Sequence, residues 1–339
     1  MLRLIDANFN RLSEGMRLLE DVARFILNDA ALSSRLKALR HDLLSGTKRF
    51  HTALLTARDS EGDVAAFARE SMSRGDVNDI VAANARRVTE SLRVLEEFAK
   101  LPDADLDAMK FKRARFAVYE IERELSGKVS RRGKHISGLY VVIDREALGA
   151  RDEVDACRQA IRGGAKVIQL RDKMQGKPAL LNSARKLQEV CAPSSIPFIM
   201  NDAMDIALAS GADGLHVGQD DMPVAIARRL LPIDKLIGCS TTNAQEARKA
   251  EADGADYIAV GSIYPTKSKS DITVVGLERL KEIREAVSLP IVAIGGINAE
   301  NARAVIDAGA DAVAVISAIL SSNDIEQAAR KIAERLETN

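Results

Sequence analysis

Eight short apolar runs, each followed by a helical segment, limit what this chain can fold into more than any other feature. They are Leu139 to Ile143, Val167 to Leu170, Phe198 to Met200, Gly214 to Val217, Leu236 to Cys239, Tyr257 to Val260, Ile291 to Ile294 and Ala312 to Ile316. They are rich in Val and Ile and bounded by Gly, Pro and Asp, as strands buried on both faces are. About eight βα units in about 200 residues predict a (β/α)8 TIM barrel over 137–339. An open doubly wound sheet is the competing arrangement, but no Gly-x-Gly-x-x-Gly follows the first run.

The first third has another rhythm. Residues 1–125 show helical periodicity and little β-branched clustering, which predicts an all-α bundle. The fold class is thus α/β, with an N-terminal all-α domain ahead of the barrel. The basic, Gly- and Ser-containing stretch between them reads as a linker over 126–136.

Within the helical third, the segment from Ala7 to Asp21 recurs from Ala83 to Glu97. In each copy the apolar positions form one stripe: Leu12, Met16, Leu19, Ala23 and Val88, Leu92, Leu95, Ala99. A second stripe is charged: Glu14, Arg17, Asp21, Arg24 and Glu90, Arg93, Glu97, Lys100. That stripe is either a solvated ladder of ion pairs or the edge of a site. In the second case, Asn8, Arg11, Asn84 and Arg87 would face an anionic ligand, covered by the polar loop Arg58-Asp59-Ser60-Glu61-Gly62-Asp63-Val64.

Charge and composition exclude some functions. Lys and Arg total 49, as do Asp and Glu, so no net field favours nucleic acid. No apolar run has the length of a membrane span, and the N-terminus carries no apolar leader pattern, which predicts a cytoplasmic protein. Cys157, Cys191 and Cys239 are dispersed without metal-type spacing and read as reduced core thiols. Oligomeric state is open, a homo-oligomer included.

In a barrel of this kind, function sits on the loops after the strands. Those positions here are almost all polar or glycine: Gln169 to Lys173, Asn201-Asp202, Gly218 to Asp221, Ser240 to Thr242, Gly261 to Asp271, Gly295 to Asn298, and Ile316-Ser317. Asp202 and Asp221 follow neighbouring strands and can converge on one cation, unless each caps a helix. Oxygen ligands without His or Cys favour Mg²⁺, which fills its shell with water and substrate phosphates. Arg171, Lys173 and Lys269 add more positive charge than a monophosphate needs, so the ring suits a diphosphate. Gly295-Gly296 with Ile316-Ser317 forms a second phosphate subsite of the backbone-amide kind. The hydroxyls and lysines of Thr266-Lys267-Ser268-Lys269 suit phosphate oxygens as well.

These motifs together resemble thiamine-phosphate synthase. The resemblance rests on Gln169-Leu170-Arg171-Asp172-Lys173, Asn201-Asp202, His216 to Asp221, Gly238-Cys239-Ser240, Gly261 to Lys269, and Ile294 to Ile297, in order. It implies condensation of a hydroxymethylpyrimidine diphosphate with a hydroxyethylthiazole phosphate, giving thiamine phosphate and diphosphate. It also implies roles. Gln169, Leu170, Arg171, Asp172, Lys173, Asn201, Ser240 and Lys269 would hold the pyrimidine diphosphate, with Arg171, Lys173, Ser240 and Lys269 catalytic. Asp202 and Asp221 would bind Mg²⁺, and Thr266, Lys267, Ser268, Gly296, Ile316 and Ser317 the thiazole phosphate. Ser268 stands where the family often has threonine. The alternative is a thiazole tautomerase-like isomerase on the same barrel, with the bundle purely structural. The helical third resembles a domain fused ahead of such synthases and proposed as an alternative hydroxymethylpyrimidine-phosphate kinase. That likeness rests on Asn8-Phe9-Asn10-Arg11, Arg17-Leu18-Leu19-Glu20-Asp21 and Arg58-Asp59-Ser60.

Overall fold

The computed structural model describes residues 1–45, 51–57, 73–102, 104–134, 136–266 and 274–337. It divides into two compact units, Met1–Arg132 and Gly133–Asn339.

The elements described in the first unit are helices: α1 (Leu2–Asp21), continued by a π-helical turn at Val22–Ile26, α2 (Ala30–Ser45), α3 (His51–Thr56), α4 (Val77–Phe98) and α5 (Ala108–Arg131). α1 packs on α4 and α2, and α4 packs on α5. The two apolar stripes are the seam. Leu12, Met16, Leu19, Ala23, Val88, Leu92 and Leu95 are fully buried, and Ala99 packs at the margin. Each buried leucine-sized side chain contributes about 1.5–3 kcal/mol. At the crossing, a Cβ on Gly15 would lie 2.6 Å from Val88 Cγ2, so only glycine lets the helices come this close.

The duplication extends further than the sequence repeat. Leu36, Arg40 and Leu43 of α2 match Phe111, Arg115 and Val118 of α5 in place and burial. α1–α2 and α4–α5 are two versions of one helical hairpin.

α5 overturns the linker expectation for residues 126–131. The core stripe Val118, Ile121, Leu125 continues to Val129 at helical spacing, and Lys128 pairs with Asp29 and, at 3.4 Å, with Glu124. That packing outweighs the modest helix penalty of Gly127, which is itself buried.

The second unit is a closed, all-parallel barrel of eight strands paired in chain order. The strands are β1 (Gly138–Asp144), β2 (Val167–Arg171), β3 (Phe198–Asn201), β4 (Gly214–Val217), β5 (Leu236–Thr241), β6 (Tyr257–Gly261), β7 (Ile291–Ile294) and β8 (Ala312–Val315). Side chains alternate across each strand. Leu139, Val141, Ile143, Ile168, Leu170, Met200, Val217 and Cys239 face the surrounding helices. Tyr140, Val142, Val167, Ile199, Leu236, Tyr257, Val292 and Ala314 fill the interior. The three cysteines are free and buried. Among the described residues, no helix is long and apolar enough to cross a membrane.

Candidate active site

Strand parity decides which predicted residues meet. Arg171 shares the inward parity of Val167, Asn201 that of Ile199, and Ser240 that of Leu236. All three reach the C-terminal rim from inside. Arg171 Nη1 pairs with Asp144 Oδ2, directly beside it in the β1–β2 register. Asp144 is buried and also accepts from the Ala147 N–H at 3.0 Å, so the guanidinium is anchored from behind.

Below the rim, six side chains span the barrel in one hydrogen-bonded line. Gln169 Nε2 donates to Asn201 Oδ1 at 2.7 Å, and the Tyr140 hydroxyl donates to Gln169 Oε1 at 2.9 Å. The Tyr140 and Tyr257 oxygens are 3.1 Å apart. His216 Nδ1 lies 3.1 Å from the Tyr257 oxygen, and His216 Nε2 lies 3.0 Å from Ser240 Oγ. Gly238 leaves room for this line, since any Cβ there would collide with the Tyr257 ring and His216 Nδ1. Burial raises both phenols above their ordinary pKa, and for Tyr140 the neighbouring Tyr257 adds to the effect.

The two carboxylates converge. Neither caps a helix: α6 (Met204–Ser210) starts behind Ala203 and α7 (Val224–Leu230) behind Pro223, both without a side-chain cap. Asp202 takes a left-handed φ of 58° while its N–H donates to the His216 carbonyl at 2.8 Å. Its pKa is raised by burial, then by its hydrogen bond with Asp221 and that group's charge, against a lowering pull from Lys173. Lys173 Nζ is 3.4 Å from Asp202 Oδ2. Asp221 Oδ2 accepts the Gly218 N–H at 2.8 Å. A carboxylate whose proton affinity is raised by a second carboxylate beside it suits a hard divalent cation. Among the described residues there is no cluster of three or more His, Cys, Asp or Glu side chains, so water and phosphate would complete the shell.

Across the ring, Gly295 and Gly296 both have positive φ, 103° and 65°. The foot of the β6 loop is stitched to them. The Ile263 N–H donates to the Ile294 carbonyl at 2.9 Å, and the Tyr264 N–H to the Gly295 carbonyl at 3.0 Å. A Cβ on Gly296 would lie 2.6 Å from the Pro265 carbonyl oxygen. Thr266 ends the described part of this loop; Lys267, Ser268 and Lys269 lie outside the described residues. Ile316 is half-buried, and Ser317 is exposed at the start of the short α8 (Ser317–Leu320).

Residues 139–319 match the family model described as thiamine monophosphate synthase. The chain belongs to that family. Residues 3–124 separately match the ThiD2 family. A protein of Thermosynechococcus vestitus named thiamine-phosphate synthase is 39% identical, over 98% of this chain and 94% of its own. One of Shouchella clausii with the same name is 46% identical over 59% of this chain and 96% of its own. The solved thiamine phosphate pyrophosphorylase from Pyrococcus furiosus is 38% identical with a TM-score of 0.55, covering 59% of this chain and 95% of that one. Relatives of this family are thus found both with and without a counterpart of the helical unit.

Two residues assigned from the thiamine monophosphate synthase resemblance sit away from the mouth or are already engaged. The Leu170 side chain faces the helices, in the outer core, so only its backbone borders the site. The Asp172 carboxylate closes a turn, accepting from the N–H groups of Met174 and Gln175 at 2.8 and 3.0 Å and from Gln175 Nε2 at 2.7 Å. Conversely, Asp144, Tyr140, Tyr257 and His216 join the site without having been assigned a role. Their signal was parity: each lies two or four positions from another inward residue on its strand.

In the helical unit, the structure separates the four residues expected to share a pocket. Asn8 and Asn84 are buried and donate to the Leu4 and Ile80 carbonyls, each at 2.8 Å, whereas Arg11 and Arg87 are exposed. The charged stripe is a solvated ladder, with Arg17–Asp21 at 3.5 Å and Arg93–Glu97 at 2.9 Å. Arg58, Asp59, Ser60 and the rest of that loop lie outside the described residues.

Proposed function

We propose that the barrel joins an aminopyrimidine-methyl diphosphate to a thiazole phosphate to give thiamine phosphate. The bond from the methylene carbon to the diphosphate oxygen breaks, and its electron pair leaves on diphosphate. The thiazole nitrogen lone pair forms the new N–CH₂ bond, leaving a positive thiazolium and requiring no proton transfer. The observation that carries this reading is the convergence of Arg171, Lys173, Asp202 and Asp221 on one side of the ring, across from the double glycine. One side suits a departing diphosphate and the other a monophosphate handle.

Arg171, held by Asp144, and Lys173 stabilise charge that grows on the leaving oxygen, where preorganised charge is most effective. Mg²⁺ held by Asp202 and Asp221 would supply further neutralisation of the diphosphate. Gln169, Asn201 and Ser240 orient the pyrimidine ring from below. Lys269 would bind the pyrimidine diphosphate, and Thr266, Lys267 and Ser268, with Gly296, Ile316 and Ser317, the thiazole phosphate. Holding both substrates together removes much of the entropic barrier to their meeting. We assign this reaction to the unit at 133–339 and place it in the cytoplasm.

The test uses the full chain with both substrates and Mg²⁺, followed by ³¹P NMR. Stoichiometric appearance of thiamine phosphate and diphosphate is the expected result. Isomerised thiazole phosphate without condensation would establish the tautomerase alternative instead.

A further inference from the structure

With the Gln169 amide turned so that Oε1 faces Tyr140 and Nε2 faces Asn201, the line of six side chains through the barrel takes one proton order. Tyr140 has one hydroxyl proton, and it goes to Gln169 Oε1. The Tyr140–Tyr257 contact must then be filled by the Tyr257 proton. The Tyr257 oxygen therefore accepts from His216, which places a proton on Nδ1. A neutral imidazole protonated there has a bare Nε2, which accepts the Ser240 hydroxyl proton. At the other end, Gln169 has committed Nε2 to Asn201 Oδ1. Turning over one member alone would set two protons or two lone pairs against each other, so the order reverses only as a whole.

The middle of the line is sealed, with Tyr257 fully buried, Tyr140 1% exposed and His216 7%. Its ends, Asn201 and Ser240, are half-buried at the rim. Burial raises both phenols above their ordinary pKa, so they remain protonated donors at neutral pH.

We propose that Tyr140, Tyr257 and His216 are specificity-determining positioning residues, fixing Ser240 as an acceptor and Asn201 as a donor toward the substrate ring. That pattern selects a ring with an amino N–H toward Ser240 and an unprotonated ring nitrogen toward Asn201. The inference rests on the reaction proposed above, whose aminopyrimidine has both features. The corresponding oxopyrimidine places a carbonyl lone pair where the amino N–H stood, opposite the lone pairs of Ser240. A site with polar groups committed in this way rejects the mismatched ring because neither partner is satisfied.

Two measurements test it. ¹⁵N NMR of histidine-labelled full-length protein without substrate, assigned against His216→Gln, should find neutral His216 as the Nδ1–H tautomer. An Nε2–H tautomer would overturn the proton order outright, and this holds whatever the reaction is. The second measurement is the ratio of kcat/KM for the amino over the oxo pyrimidine diphosphate. It should be at least about 100-fold in the wild type. Tyr257→Phe or Tyr140→Phe frees the downstream members to reverse, so the ratio should fall at least about tenfold. An unchanged ratio in a variant that still unfolds cooperatively would overturn the role of these residues. Failure of the wild type to condense the substrates, with the Nδ1–H tautomer present, would instead overturn the reaction.

Discussion

Glu20 accepts two hydrogen bonds from Arg40, from Nε at 3.2 Å and Nη2 at 2.9 Å, through a carboxylate that is almost fully buried. Glu96 and Arg115 repeat the arrangement in the other hairpin, at 3.3 and 3.1 Å. A flanking arginine joins each carboxylate, Arg17 at 3.7 Å and Arg93 at 3.1 Å. Removing one partner of a buried pair strands the other charge, which costs about 3–5 kcal/mol. Glu96→Ala should therefore destabilise the helical unit by about that amount. Glu97→Ala, on the exposed ladder, should leave the unfolding midpoint close to that of the wild type. Urea titration of the full chain, followed by helical circular dichroism, separates the two. Equal midpoints would show that Glu96 is not the structural anchor.

Asp202→Asn and Asp221→Asn each remove one hard anionic ligand. Activity should fall by about 10–100-fold or more at fixed Mg²⁺, and calorimetric Mg²⁺ binding in the presence of diphosphate should weaken in parallel. The raised pKa of Asp202 adds a sign. A carboxyl with a raised folded pKa contributes least once ionised, so Asp202→Asn should raise, not lower, the Tm of the metal-free protein at neutral pH. Full activity in both variants at saturating Mg²⁺ would remove the metal assignment.

Gly238→Ala is predicted to be more damaging than its size suggests. The new methyl has no room beside the Tyr257 ring and His216, neither of which can swing away. Overpacking of this kind costs about 1–3 kcal/mol. The measurement is Tm together with the amino-over-oxo substrate ratio; a wild-type value for both would mean the interior is looser than its contacts indicate.

Asp29 supplies a pH dependence. Burial raises its pKa, but hydrogen bonds from the Leu32 N–H and Lys128, with the lysine charge, outweigh that and lower it overall. A lowered folded pKa gives stability that is present above the ordinary carboxyl pKa and lost as pH falls through the folded value. Asp29→Asn should cost about 1 kcal/mol at pH 7, the partial exposure of Lys128 keeping the figure small. The difference should vanish in acid, so a pH-independent gap in unfolding free energy would contradict the linkage.

Much of the barrel could be read in the chain because apolar runs and period-two alternation are local. The β2 window ended one residue short of Arg171, and Ile316 lies just beyond the end of β8. Arg171, Asn201, Asp202, Ser240 and Asp221 were legible as polar residues at strand ends. Tyr140, Tyr257 and His216 were not, because an aromatic inside an apolar run looks like ordinary core until register shows what lies across the barrel. Leu170 was misplaced for the related reason that adjacent residues of one motif point to opposite faces. Composition suggested a linker at 126–131, where the packing of Leu125 and Val129 continues the helix. The match of α2 with α5 is not legible in the chain because the two share few identities, and Arg40 and Arg115, closing on equivalent glutamates, make it plain in the structure.

That pair of matching clamps also tells which positions were free to drift. Leu36 and Phe111, or Leu43 and Val118, differ in shape but remain apolar and enclosed. One place further round, constraint disappears. His41 in one half corresponds to Phe116 in the other, and Leu44 to Tyr119; Phe116 and Tyr119 form an exposed edge-on ring pair with Arg115 lying over the Phe116 ring. The two halves share their buried clamps and the exposed ladder of α1 and α4, and they differ on the outer faces of α2 and α5. A hairpin used twice thus offers solvent two different faces from one internal plan: His41 and Leu44 on one, an aromatic pair on the other.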